Sequence, residues 1–257
     1  MADRVYRTEA LILRRTDFNE ADRLLTLVTP GGKRRVVAKG VRKTTSRLAG
    51  HIELFTHSQL LLALGRNLDI VTQSQILERY ETLRTELPRL SCGYYAAELY
   101  DKVTPEEGEE NPLLFRLMVQ TFAALDTSTN PTLVLRMFEL RLLHAIGYRP
   151  NLHRCVASQE LLTEEANRFS PALGGMLSPA HTSADRNALP ISLNAFKLLR
   201  YLQTVGDEKQ PYQTIERLNI SEGVQREAES VLRAYLRTIL ERELKTAAFL
   251  DSVLRSP

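Results

Sequence analysis

A chain of 257 residues, 43% hydrophobic and 25% charged, has enough apolar side chains for one large core or two smaller ones, which excludes disordered and collagen-like classes. The formal net charge of +3 hides an asymmetry. Residues 1–80 hold 14 Lys and Arg against 8 Asp and Glu, and the remainder holds 20 against 23. Two distant cysteines, Cys92 and Cys155, fit a reducing compartment rather than a disulfide framework. The start, Met1-Ala2-Asp3-Arg4, has no apolar signal region, and no apolar run has membrane-spanning length, so a soluble cytoplasmic protein is expected.

The first eighty residues read as five short strands. Residues 8–16 (TEALILRRT), 22–29 (DRLLTLVT) and 33–40 (KRRVVAKG) are branched-apolar segments separated by turn chemistry, with Pro30-Gly31-Gly32 making a tight hairpin between the second and third. Residues 54–64 and 68–77 follow, joined at Gly65-Arg66-Asn67. Such a set closes as an oligonucleotide-binding barrel or, by strand count alone, as an SH3-like barrel. The third strand opens a run of seven cations without an acid: Lys33, Arg34, Arg35, Lys39, Arg42, Lys43 and Arg47. A cluster of like charge repels itself and needs solvent or a polyanion to offset that cost, and nucleic acid is the obvious polyanion.

Beyond residue 80 the apolar period becomes helical. Helices are expected over 90–103, 112–125, 131–146, 192–205 and 222–244. Prolines stand in the first turn of the second and third, and Gly147 stands as a C-cap. The acids Glu106, Glu107, Glu109 and Glu110 lie in a loop between helices and read as solvated surface. In the last helix Val224, Ala228, Val231, Tyr235 and Leu236 share a face, leaving Glu227, Arg233, Arg237 and Glu241 wet. Residues 150–190 break the period with Pro, Gly, Ser and Asn and read as a compact loop-rich insert. Tyr94, Tyr95 and Tyr100 read as helix-packing residues. No P-loop, HExxH or GxSxG pattern is present, and no catalytic constellation emerges, so a non-enzyme is expected.

Five blocks together resemble the bacterial recombination mediator family RecO: EALILRRTDFNEADRLLTLVTPGGKRRVVAKGVRK (9–43), SRLAGHIELF (46–55), GRNLDIVTQ (65–73), FELRLLHAIGYRPNLHRC (138–155) and RFSPALGGML (168–177). The resemblance implies an α+β multidomain protein: a five-stranded OB-like β-barrel over residues 1–80, then an α-helical domain over 81–257 with the insert at about 150–190. It further implies binding of single- and double-stranded DNA, annealing of complementary strands, and assistance to recombinase loading on DNA coated with single-stranded-DNA-binding protein, with RecR as partner. Many members of the family carry two Cys-x-x-Cys pairs in the insert, spaced for structural zinc. Here they read Cys155-Val156-Ala157-Ser158 and Ser178-Pro179-Ala180-His181. Neutral serine hydroxyls are poor zinc ligands, so no metal is expected, and packing of Leu161, Leu162, Phe169, Leu173 and Leu177 is expected to hold the insert instead.

In an oligonucleotide-binding barrel the groove is made by strands 2 and 3 and the loops 1–2 and 4–5. The expected nucleic-acid site is therefore Lys33, Arg34, Arg35, Lys39, Arg42, Lys43 and Arg47, with Arg66 at the tip of the 4–5 loop. Alternation puts Lys33, Arg35 and Lys39 on one face and Arg34 on the other. Phe18, in the 1–2 loop, has two readings: stacking on a base or plugging the barrel end. On the helices Arg116, Arg136 with Arg141, or Lys197 and Arg200, are candidate cations for an acidic peptide tail. Two rivals share the electrostatics: an adaptor whose basic patch meets an acidic protein, and an RNA-binding accessory.

Overall fold

The computed structural model of the protein describes residues 5–105 and 110–254. The first four residues and the acids Glu106, Glu107 and Glu109 lie outside the described residues. By packing, the chain divides into two compact units, Met1–Thr127 and Ser128–Pro257. The change from strand to helix falls at residue 80, but the helices as far as residue 127 pack with the barrel.

The first unit opens with β1 (Val5–Phe18), β2 (Asp22–Thr29), β3 (Gly32–Ala38), β4 (His57–Ala63) and β5 (Asp69–Glu78). They close in the order β1-β2-β3-β5-β4, with β4 returning to β1. β1 serves two partners because it is long and irregular. Its first half pairs with β4 from Val5 to Leu11, its second half pairs with β2, and the register slips between Ile12 and Arg14. A short parallel contact, Val36 beside Asp69 and Val37 beside Ile70, joins β3 to β5. Ala10, Ile12, Leu25, Leu27, Val36, Ala38, Leu60, Leu62 and Val71 fill the interior, as period-2 alternation requires. Gly65 makes the β4–β5 turn possible: a Cβ there would lie 1.8 Å from the Leu68 carbonyl oxygen.

Helices α1 (Glu81–Thr85), α2 (Leu87–Val103) and α3 (Pro112–Thr127) complete this unit. Asn111 caps α3 by accepting from the Leu114 N–H at 3.0 Å, and its own N–H donates to Pro30 O in the β2–β3 turn at 3.0 Å. Phe55, fully buried, meets Phe122 and Tyr94 edge-on at 5.0 and 5.3 Å. It reaches them because α2 carries Gly93 there, where a Cβ would approach the Phe55 ring to 2.9 Å. Tyr95 and Tyr100 are buried in the packing, whereas Tyr94 is half-exposed.

The second unit is built on α4 (Pro131–Ala145), buried on nearly every side and capped by Asn130, whose side chain accepts from the Leu133 N–H at 3.0 Å. A small sheet follows, β6 (Arg168–Ser170), β7 (Gly175–Leu177) and β8 (Leu189–Pro190), in the order β7-β6-β8. Then come α5 (Leu193–Val205), α6 (Pro211–Ile215), α7 (Glu222–Leu240) and α8 (Lys245–Leu254). The sequence pattern ran the last two together; a left-handed Glu241 (φ 53°) ends α7 and lets α8 turn away. Leu162, Phe169 and Leu177 are buried in the insert as expected, but Leu161 and Leu173 are exposed, at 71% and 47%. Among the described residues no helix is long and apolar enough to cross a membrane.

Candidate nucleic-acid interface

The basic run is divided by what covers each strand face. Lys33 shares the outer face of β3 with Val37, and both are buried. The Lys33 ammonium donates to Asp101 Oδ1 at 2.9 Å, to Asp101 O at 3.0 Å and to Thr104 O at 3.1 Å. It thus neutralises the carbonyl end of α2. This corrects the expectation for Lys33: its donors are spent and it offers nothing to a phosphate.

The remaining cluster cations are exposed. Arg34 lies over the Tyr6 ring, 5.9 Å from its centroid. The Tyr6 hydroxyl donates to Asp69 Oδ2 at 2.6 Å; burial first, then that bond and the carboxylate charge, push its pKa up to about 12 against the pull of Arg34. Arg35 stands in a cross-strand row with Thr26 of β2 and Arg14 of β1. Arg14 and Arg35 are exposed, and among the described residues neither forms an ion pair. Sequence reading left Arg14 out, because its place in this row depends on the register slip that precedes it.

Past β3 the chain turns back onto the β1–β2 hairpin. Asp22 Oδ1 accepts from the Gly40 N–H at 2.7 Å, and the Arg42 N–H donates to Ala21 O at 2.9 Å. The Gly40 bond first, then Asn19, hold the Asp22 carboxyl below its ordinary range. These bonds bring Phe18, 40% exposed at the end of β1, to the same place as Lys39, Arg42 and Lys43. That exposure does not fit a plug in the barrel end. Arg42 is partly engaged, with Asp17 3.3 Å away. Lys39, Lys43, Arg47 and Arg66 form no ion pair among the described residues. Arg66 sits in the β4–β5 turn, whose chain continues into Asp69 beside Val36 of β3.

In the insert, where no metal is expected, Cys155, Ser178 and His181 form a hydrogen-bonded group. Ser178 Oγ lies 3.7 Å from Cys155 Sγ and 3.0 Å from His181 Nδ1, and the Ser178 N–H is 3.5 Å from the sulfur. Burial pushes the Cys155 thiol up, but the N–H groups of Ser178, Ser158 and Ala157 and the Ser158 hydroxyl converge on it and bring it down to about 6. Among the described residues no group of three or more His, Cys, Asp or Glu is arranged to hold a metal.

Of the helical cations, Arg136 is buried, with Glu139 at 2.8 Å and Glu229 at 3.6 Å, so it is not available to a peptide tail. Arg233, expected to be wet, bridges Glu229 at 2.5 Å and Asp251 at 2.7 Å. Arg141 lies over Tyr212 at 5.5 Å, Lys197 pairs with Glu164 at 2.8 Å, and Arg116 is exposed.

A closed five-stranded barrel with exposed cations along its third strand, joined to a helical unit, defines an OB-type protein of α+β class. Two family models match it in order: Recombination protein O N terminal over residues 1–80 and Recombination protein O C terminal over residues 84–248. A DNA repair protein RecO from Roseiflexus sp. (strain RS-1) is 56% identical over 253 residues, 98% of this chain and 87% of that protein. DNA repair proteins RecO from Dehalococcoides mccartyi (strain ATCC BAA-2100 / JCM 16839 / KCTC 5957 / BAV1) and Symbiobacterium thermophilum are 38% and 32% identical, over 96% and 97% of this chain and 96% and 98% of theirs. The chain belongs to the RecO family of DNA repair proteins.

Proposed function

We propose that this protein binds DNA through the barrel, anneals complementary strands, and assists recombinase loading on single-stranded DNA, with RecR and single-stranded-DNA-binding protein as partners. The observation that carries this reading is the set of exposed cations that form no ion pair among the described residues, Arg14, Arg35, Lys39, Lys43, Arg47 and Arg66, gathered with Phe18 on one barrel and its turns. Arg34 and Arg42 add to it while keeping partners of their own. Cations held at strand spacing screen the repulsion between two phosphate backbones, and base pairing then supplies the free energy of annealing. No catalytic group is needed, and the work belongs in the cytoplasm, where the chromosome is.

The test is Arg35→Glu, Lys39→Glu and Lys43→Glu together, all at exposed positions. Single-strand affinity at low salt is expected to fall on the order of a hundredfold, and annealing with it, while the thermal midpoint holds. Unchanged affinity would place the DNA surface elsewhere. A wild-type protein that binds an acidic polypeptide but no oligonucleotide would favour the adaptor, and preference for matched RNA over DNA would favour the RNA accessory.

A further inference from the structure

Arg34 stands near the start of β3, beside the β2–β3 turn, and it is held differently from the cations further along the run. The residue is exposed, yet its guanidinium carbon lies over the Tyr6 ring, 5.9 Å from the centroid. That ring is partly buried and packs against the barrel core, and its hydroxyl donates to Asp69 Oδ2 at 2.6 Å. Asp69 is fixed in turn, because its Oδ1 accepts from the Gly65 N–H at 3.1 Å. On the β2–β3 turn, Gly31 leaves room for the arginine: a Cβ there would come within 3.3 Å of Arg34 Nη2 and 3.7 Å of Nε. The φ of Gly31 is not positive, so the backbone tolerates a side chain at that position and the guanidinium is what a Cβ would crowd.

Core, ring and guanidinium are layered, and the outward side of Arg34 is left as a flat, weakly hydrated cationic surface. Charge decides what suits that surface. Asp69 is bonded to the same tyrosine that Arg34 covers, so a phosphate drawn to the guanidinium also meets a carboxylate, which reduces its attraction. A neutral aromatic ring meets no such penalty and gains dispersion and cation–π attraction from the guanidinium plane. Unpaired bases are held in this way, stacked on aromatic rings and on arginine planes. We propose that Tyr6 and Arg34 form a nucleobase-stacking platform: one unpaired base of a bound single strand lies flat on the guanidinium, and the tyrosine backs it from the core side. Inside a duplex both faces of a base are covered by its neighbours, so the platform favours single strands over double. Arg34 is then a stacking cation, with Gly31 and Asp69 as positioning residues, while phosphates fall to the exposed cations described above. This role rests on the reading of the protein as a DNA binder.

The test compares a short oligothymidylate with an abasic deoxyribose-phosphate strand of the same length, which carries the same charge and no bases. The full chain is used in three forms: wild type, Arg34→Lys and Gly31→Ala. Arg34→Lys keeps the charge and loses the plane, whereas Gly31→Ala keeps both and displaces the guanidinium. The wild type is expected to prefer the oligothymidylate. Each variant should lower that preference roughly fivefold or more, the loss of one stacked base, at an unchanged thermal midpoint. Phe18, which can stack a base of its own, is common to all three forms and cancels in the comparison. A fall in affinity shared equally by the two strands would make Arg34 a phosphate contact and overturn the platform. An unchanged preference in both variants would overturn it as well. A wild type that binds neither strand at low salt would overturn the DNA-binding reading itself, a result distinct from the other two.

Discussion

Asp17 and Glu53 govern how much of the arginine charge at the barrel mouth is available. Glu53 gathers Arg15 at 2.6 Å, Arg84 at 3.5 Å and Arg23 at 3.9 Å, while Asp17 lies 3.5 Å from Arg23 and 3.3 Å from Arg42. Asp17 is 60% exposed, so its pairs are weak and a phosphate competes with it directly. Asp17→Asn is therefore expected to tighten single-strand binding about threefold at low salt, the equivalent of one exposed pair at about 0.6 kcal/mol. Anisotropy titrations with and without added salt would read this; unchanged affinity would mean that Arg42 does not meet the DNA. Cys155 carries a second residue-scale expectation. Its folded pKa lies below the unfolded value, so the stability it contributes is present above about 9 and is lost as pH falls through about 6. Thiolate absorbance should titrate with a midpoint near 6, and Ser158→Ala should move that midpoint upward by removing a hydroxyl from the sulfur. A midpoint at the ordinary cysteine value would refute the cradle.

Elements decide what single residues cannot. Alternation along β3 puts Lys33 and Arg35 on one face, and sequence alone makes them equals. The end of α2 separates them: three oxygens of Asp101 and Thr104 bind the Lys33 ammonium, and Arg35 stays open beside Thr26. Lys33→Met should lower the unfolding free energy by about 1–3 kcal/mol, because acceptors at the end of α2 lose their partner. DNA affinity should stay within twofold of wild type. Denaturant unfolding and an oligonucleotide titration on the same sample check both halves, and a large loss of affinity at unchanged stability would restore Lys33 to the interface. The insert carries a similar lesson. Leu161, Leu162, Leu173 and Leu177 look alike in sequence, yet only Leu162 and Leu177 are buried.

For the molecule as a whole, the expected DNA affinity is electrostatic. Arg35, Lys39, Lys43, Arg47 and Arg66 are five exposed cations with no ion pair among the described residues. Neutralising about five phosphates on a single strand predicts a slope near −3.5 in log affinity against log salt. A slope near zero would sink the electrostatic account. The five strands, the hairpin at Pro30-Gly31-Gly32, the main helices and the family were legible in the residues. Apolar period and turn chemistry are local signals, and five matching blocks are specific. The seven-cation run was equally visible, since charge is read directly from side-chain type. Other features needed the folded chain: the covering of Lys33, the row joining Arg14 to Arg35, the burial of Arg136 and the gathering of Tyr6, Arg34 and Asp69. Each depends on residues far apart in sequence meeting through a strand register, a helix end or a packed face. The sequence by itself determined which charges and which elements exist; tertiary structure alone decided which of those charges remain open, because an ion pair or a covering helix removes a cation without changing a letter of the chain.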